Sequence, residues 1–215
     1  MRMVSETVES NRIGPEESRG EGPVAEAEER RLVEACQRGD LDAFDQLIQL
    51  FQNQVFGLAY HLLHDHDEAE DIAQEVFLSF FRHAGEFRFE SRVGTWFYRV
   101  TVNRVKNRWK YHQRRQRDKH DSMDEAFSEE DPRVLEVPDP GPDPRQQAEA
   151  RELKEALEVH LGHLAPEFRE VMALRFGQDL SYEEIAEVLD CSIGTVKSRI
   201  NRARHQLRES MRDLL

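Results

Sequence analysis

Apolar residues recur every three or four positions along most of this chain, the spacing of one face of an α-helix. Leu32, Val33, Ala35 and Cys36 open the pattern, and Phe44, Leu47, Ile48 and Phe51 resume it after Gly39-Asp40. That step predicts two helices, with Asp40 as N-cap of the second. Phe56, Leu58, Ala59, Leu62 and Leu63 make a third apolar face. Ile72, Val76, Phe77, Phe80 and Phe81 make another, on a helix that Asp65 or Asp67 can cap. Thr95 stands where it can cap a long helix reaching Arg117, with Phe97, Val100 and Val105 as its core positions. The pattern then lapses, and returns from Ala148 through Leu153, Ala156, Leu157, Val159 and Leu161. Pro166 opens the next helix and Gly177 is placed as its C-cap. Ser181 and Glu184 have capping-box spacing ahead of the stripe Ile185, Ala186, Val188 and Leu189. Asp190-Cys191-Ser192 interrupts that stripe, and Gly194 stands at the entry to the last helix. Val196, Ile200, Ala203 and Leu207 lie on one side of it. The expected fold is all-α.

Charge divides this helical string into parts. The chain carries a net charge of −13 over 215 residues, which argues against nucleic-acid binding until its distribution is followed. Between His64 and His83 there are six Asp/Glu and one Arg. Acids in the first turns of that helix suit its positive end, and the remainder fits a docking surface for a basic groove. From Arg92 to Arg117 there are nine Lys/Arg and no acid, with Trp96, Phe97, Tyr98, Trp109 and Tyr111 interleaved. Cations track phosphates and aromatic faces stack on unpaired bases, so this stretch points to melted DNA. From Cys191 to Arg208 there are five Lys/Arg and again no acid. Two short helices with a tight turn and a basic second member form a helix-turn-helix, whose second helix enters the major groove.

Between the basic stretches, Asp118 to Glu149 holds eleven Asp/Glu against three Lys/Arg, with Pro132, Pro138, Pro140, Pro142 and Pro144. This reads as an extended, flexible acidic linker and a domain boundary, and its charge suits a basic channel. The organisation expected is a disordered lead over 1–25, a helical domain over 26–117, the linker over 118–147 and a four-helix domain over 148–215. The two cysteines, Cys36 and Cys191, lack metal-ligand spacing and fit reduced thiols. No apolar run reaches the length of a membrane span and no signal-peptide core opens the chain, so a cytoplasmic protein without membrane insertion is expected. His64 and His66 beside carboxylates lack the paired spacing of a metal site. With no phosphate loop or nucleophile elbow either, neither catalytic residues, metal nor cofactor are expected.

Three segments in order, DEAEDIAQEVFLSFFR (67–82), TWFYRVTVNRVKNRWK (95–110) and LSYEEIAEVLDCSIGTVKSRINRAR (180–204), resemble the group IV, extracytoplasmic-function sigma factors of bacterial RNA polymerase. The resemblance spans about residues 28–210 and assigns region two to the first domain and region four to the second. It implies that Asp71, Gln74, Glu75 and Phe77 bind the clamp helices of the polymerase's largest subunit, with region four on the flap of the second subunit. The loop carrying Phe89, Ser91 and Arg92 then matches the one that captures a flipped base of the minus-ten element, with Trp96, Arg99, Asn103 and Lys106 on the following helix. Arg175, Tyr182, Glu183, Lys197, Ser198, Asn201 and Arg202 match positions that approach the minus-thirty-five element. Lys197 stands where arginine is also common, which replaces a bidentate fork by a point charge. An anti-sigma factor, clamped between the two domains, is the further partner implied. The alternative is a two-domain DNA-binding repressor or activator that never touches polymerase.

Overall fold

The computed structural model describes residues 23–119, 151 and 156–212, so most of the expected lead and nearly all of the acidic linker lie outside the described residues. Helix α1 (Pro23–Gln37) stops at Gly39, whose φ of 87° a side chain would resist. Asp40 caps α2 (Leu41–Leu63), its carboxylate accepting from the Ala43 amide at 3.1 Å. The second and third apolar faces are one continuous helix, because no cap or proline separates Phe51 from Phe56. His64 closes it in the left-handed conformation, its amide donating to the Tyr60 carbonyl. Asp65, rather than Asp67, then caps α3 (His66–His83) through the Glu68 amide at 2.8 Å. A single 3-10 turn (Ala84–Glu86) and a loop lead to α4 (Val93–Lys119). This helix begins two residues before Thr95 and runs on to Lys119, two residues into the expected linker. Thr95 is therefore buried in the first turn instead of capping it.

Phe97 holds α1 to α4 together. It is fully buried, with the rings of Phe51, Phe80 and Phe77 centred 5.0, 5.1 and 5.3 Å away. Leu47, Leu58, Ile72 and Val105 close around this aromatic knot. Burying each large apolar side chain is worth about 1.5–3 kcal/mol, so the four rings together contribute several kcal/mol to this unit's stability. Two expected core positions sit further out. Val100 is only half-buried, and Phe81 leaves 51% of its surface exposed while one side leans on Phe44 at 5.1 Å.

The second unit starts with a helix at residues 156–162 (α5), followed by α6 (Pro166–Met172). A wider π-helical turn (Ala173–Gly177) continues α6. Gly177 ends that turn, but the residue with positive φ is Asp179 (53°). The Ser181–Glu184 capping box forms as expected at the start of α7 (Tyr182–Leu189), satisfying amides at both ends of the first turn. Asp190 (φ 51°) turns the chain, and Ser192 caps α8 (Ile193–Ser210) through the Thr195 amide. Among the described residues every element is helical.

The two units touch. Val171, Leu174, Ile185, Ala186 and Val188 belong to the same buried cluster as the aromatic knot. At the seam, the Arg169 guanidinium donates to the Leu62 carbonyl at the end of α2 (2.8 Å) and to the carbonyls of Gly162 and Leu164. It lies over the Trp109 ring of α4, 5.5 Å from its centre, and burial lowers its basicity. One side chain thus satisfies orphan carbonyls at a helix end in each unit, and one more in the loop after α5.

Candidate nucleic-acid interface

The reading edge of α8 is built by its own periodicity. Val196, Ile200, Ala203 and Leu207 are buried, so Lys197, Ser198, Asn201 and Arg202 are left facing solvent together. Ser192 holds the first turn, its hydroxyl 2.9 Å from that of Thr195, and a shallow groove opens there beside Ser198 and Arg202. Free backbone amides at a helix start favour an anion such as phosphate. Tyr182 connects this edge to the rest of the site. Its ring has Arg175 over it at 5.7 Å and Lys197 at 5.9 Å, so three expected residues from three elements converge on one aromatic plane. Arg175 is steadied by the Leu180 carbonyl (2.7 Å) and Asp179 (3.5 Å). Glu183 is exposed on the first turn of α7.

The loop and helix of the first unit are arranged differently. Phe89 takes a positive φ of 57°, unusual for a bulky side chain, and is held by the edge of Phe87 and by Arg30 stacked 4.5 Å above its ring. Trp96 is half-buried with its edge to Phe80 and Phe97. Asn103 is exposed and Ser91 half-buried. The three cations each meet a carboxylate of the second unit. Arg92 reaches Glu184 (3.4 Å) and also pairs with Glu26 of α1, Arg99 reaches Glu187 (3.3 Å), and Lys106 reaches Glu170 (3.1 Å). Glu170 is only 3% exposed, and burial raises its pKa against the opposing pull of Lys106. Tyr98, buried beside Glu184 and Glu29, has its phenol pushed up to about 12, chiefly by burial. These acidic partners are missed by local reading, because each lies 64 to 92 residues from its cation and no sequence period links them.

On the acidic helix α3 the four expected contact residues divide into two pairs. Asp71 and Gln74 are exposed as a docking surface requires. Phe77 points inward, 7% exposed against Phe97, so it can support that surface but does not reach a partner directly. Glu75 is half-buried and tied to Arg104 (2.8 Å) and Arg108 (3.5 Å) of α4. Leu78 and Phe81, each 51% exposed, continue the edge of Asp71 and Gln74 at spacings of four and three. The available signal was phase: Leu78 falls between the buried Val76 and Phe80 and off their stripe. Among the described residues no cluster of His, Cys, Asp and Glu could hold a metal, and no helix is long and apolar enough to cross a membrane.

Comparison with known proteins agrees with this geometry. Residues 47–115 match the family "Sigma-70 region 2" and residues 160–209 match "Sigma-70, region 4". The chain is 37% identical over 195 residues to the RNA polymerase sigma-H factor of Pseudomonas aeruginosa, covering 89% of this chain and 98% of that one. It is 33% identical over 187 residues to the ECF RNA polymerase sigma-E factor of Haemophilus influenzae, covering 87% and 97%. In fold it is similar to RpoE in complex with the anti-sigma factor NepR from Bartonella quintana, with a TM-score of 0.60, 24% identity, and 79% and 96% of the two chains covered. It is likewise similar to CnrH in complex with the cytosolic domain of CnrY, with a TM-score of 0.61, 21% identity, and 86% and 98% covered. The aromatic basic helix, the helix-turn-helix and these relatives agree: the chain belongs to the extracytoplasmic-function sigma factors, which bind core RNA polymerase and direct it to promoters.

Proposed function

We propose that the two units divide promoter recognition between α4 and α8, and that α3 carries the polymerase contact. Asp71 and Gln74, with Leu78 and Phe81 beside them, dock on the clamp helices of the polymerase's largest subunit. Glu75 and Phe77 support that surface, through α4 and through the core. Region four rests on the flap of the second subunit. Phe89, Ser91 and Arg92 receive an unstacked base of the minus-ten element, while Trp96, Arg99, Asn103 and Lys106 follow the same strand. Unstacking costs a few kcal/mol, which the aromatic faces and the cations offset. Arg175, Tyr182, Glu183, Lys197, Ser198, Asn201 and Arg202 read the minus-thirty-five duplex. The observation that carries this reading is the solvent-facing set Lys197, Ser198, Asn201 and Arg202, aligned by a helix whose opposite side is fully buried. The domain limits proposed are 26–117 and 148–215, with the acidic segment between them in the polymerase's basic channel. An anti-sigma factor that separates the units is the partner proposed for regulation, in line with the two complexes of similar fold. The protein acts by binding in the cytoplasm, without a reaction of its own. In vitro transcription from a promoter library, with core polymerase plus or minus this chain, tests the assignment. New start sites sharing two spaced upstream motifs are expected. Absence of chain-dependent initiation with active core would overturn it in favour of a repressor or activator.

A further inference from the structure

We infer that helix α1 belongs to the minus-ten reader: Arg30, seated on the Phe89 ring, offers its guanidinium fork to the edge of the captured base and selects guanine or cytosine. This rests on the assignment of the loop carrying Phe89, Ser91 and Arg92 to the minus-ten element. It adds a residue from outside the segment matched to region 2, which begins at residue 47. Helix α1 runs antiparallel to that loop and grips it at both ends and in the middle. Near the end of α1, the Gln37 amide donates to the carbonyls of Phe87 (2.8 Å) and Ala84 (3.1 Å), which fixes the turn the loop departs from. Near its start, Glu26 pairs with Arg92 at the far end of the loop. Between them, Arg30 lies 4.5 Å above the centre of the Phe89 ring. Phe89 is kept at a φ of 57°, which a bulky residue adopts only when its surroundings hold it. Phe87 braces the ring edge-on at 5.1 Å, and Arg30 covers one face.

The bonds Arg30 makes leave its reading end available. Its Nε donates to Glu34 one turn on (3.1 Å), and among the described residues this is its one hydrogen bond. The side chain is 62% exposed, so both Nη groups remain for a ligand. With Phe89 under its plane and Glu34 on its inner nitrogen, the fork is ordered before DNA arrives. Glu26, Glu29 and Glu34 flank Arg30 on α1, which disfavours a phosphate there and leaves a neutral base edge as the partner. Two parallel N–H donors match two adjacent acceptors. Guanine presents such a pair at O6 and N7. Cytosine presents one at O2 and N3 once it is unpaired. Adenine and thymine set a donor beside each acceptor on the same edges. A captured base is out of the stack and out of its pair, so these edges are open to the fork.

The test uses the full chain reconstituted with core polymerase, and a promoter library whose minus-ten element is randomised behind one fixed minus-thirty-five element. Sequencing the transcribed promoters reads base preference position by position. The wild type should favour guanine or cytosine at one minus-ten position by about ten-fold. Arg30→Gln, a change at an exposed side chain, and Arg30→Lys, which keeps the charge but loses the fork, should both flatten that position and leave the others as they were. Phe89→Gly, which suits the positive φ but removes the ring under Arg30, should flatten it too. The proposal is overturned if the wild type favours neither base at any minus-ten position, or if both Arg30 variants keep its preference. It is equally overturned if they lower initiation on all four bases alike, since that is what a mere support for the loop would do. Failure of Arg30 alone leaves Phe89→Gly and Arg92→Ala altering the minus-ten motif, whereas failure of the underlying assignment leaves that motif unchanged by every variant.

Discussion

Helices α4 and α8 share a run of cations and differ in how available it is. Both carry a run of cations without a single acid, nine between Arg92 and Arg117 and five between Cys191 and Arg208. On α8 the groups Lys197 and Arg202 point to solvent. Just before α4 and along it, Arg92, Arg99 and Lys106 are matched by carboxylates from the other end of the chain. A basic helix is therefore not yet a DNA-binding surface. What faces it in the folded molecule decides how much of its charge a phosphate can meet, and that is a tertiary property.

The largest effect that tests this comparison comes from its scaffold. Phe97→Ala should cost about 3–5 kcal/mol in denaturant unfolding, because the knot formed with Phe51, Phe77 and Phe80 cannot refill the space. Because Ile185, Val196 and Ile200 of the second unit share the buried cluster of Phe97, the loss should extend to the packing of α7 and α8 rather than stop at the first unit. Charge removal separates the two helices more directly. In the free chain, Arg202→Ala should weaken duplex binding by about 1–3 kcal/mol if it reads a base edge, and lower the salt slope by about one. Arg99→Gln should leave free-chain binding nearly unchanged yet reduce initiation in the reconstituted polymerase assay. Equal losses from both substitutions in the free chain would erase the distinction between the helices.

A pH measurement sharpens the seam. Tyr98 has its phenol raised from about 10 to about 12, so the folded chain holds the proton more tightly than the unfolded chain does. The stability this gives is fully present below pH 10 and is lost as pH rises towards 12. Relative to Tyr98→Phe, the wild type should lose on the order of 2 kcal/mol across that window in thermal unfolding. Glu170, also raised, follows the same sign in the acid range: its contribution is present below the ordinary carboxylate pKa and fades as pH rises through the folded value. The smallest expected effect is Ser181→Ala, which removes the capping box of α7 and should cost about 1 kcal/mol in unfolding. It also frees the Glu184 oxygen now bonded to Ser181.

Local chemistry was the legible part of this fold. Asp40, Asp65 and Ser181 announce their helix starts because a cap needs only a side-chain oxygen and an amide three residues on. The edge of α8 was legible for a similar reason, since its apolar stripe leaves Lys197, Ser198, Asn201 and Arg202 nowhere to go but outward. Periodicity served less well where two answers share one pattern. Phe77 and Phe81 both look like core on a stripe count, yet one is buried and the other lies on the edge beside Asp71 and Gln74. Thr95 looked like a cap because a hydroxyl before an apolar run usually is one, but the loop turns into helix already at Val93. Gly177 invited the left-handed position that Asp179 takes, since the wider π turn carries the chain further before it reverses. The seam was not legible at all. Arg169 reads as an ordinary surface arginine until Leu62, 107 residues earlier, is seen to need its hydrogen bonds.

The placement of Arg169 over Trp109 gives the molecule an optical gauge of its own state. The chain has two tryptophans, and Trp96 is fixed inside the first unit between Phe80 and Phe97. Trp109, by contrast, has a guanidinium from the second unit above its ring. In a Trp96→Phe background the indole emission comes from that seam only, and parting of the units would expose the ring to water. Followed against denaturant in the chain alone, that native fluorescence would then report the parting of the units with no dye attached.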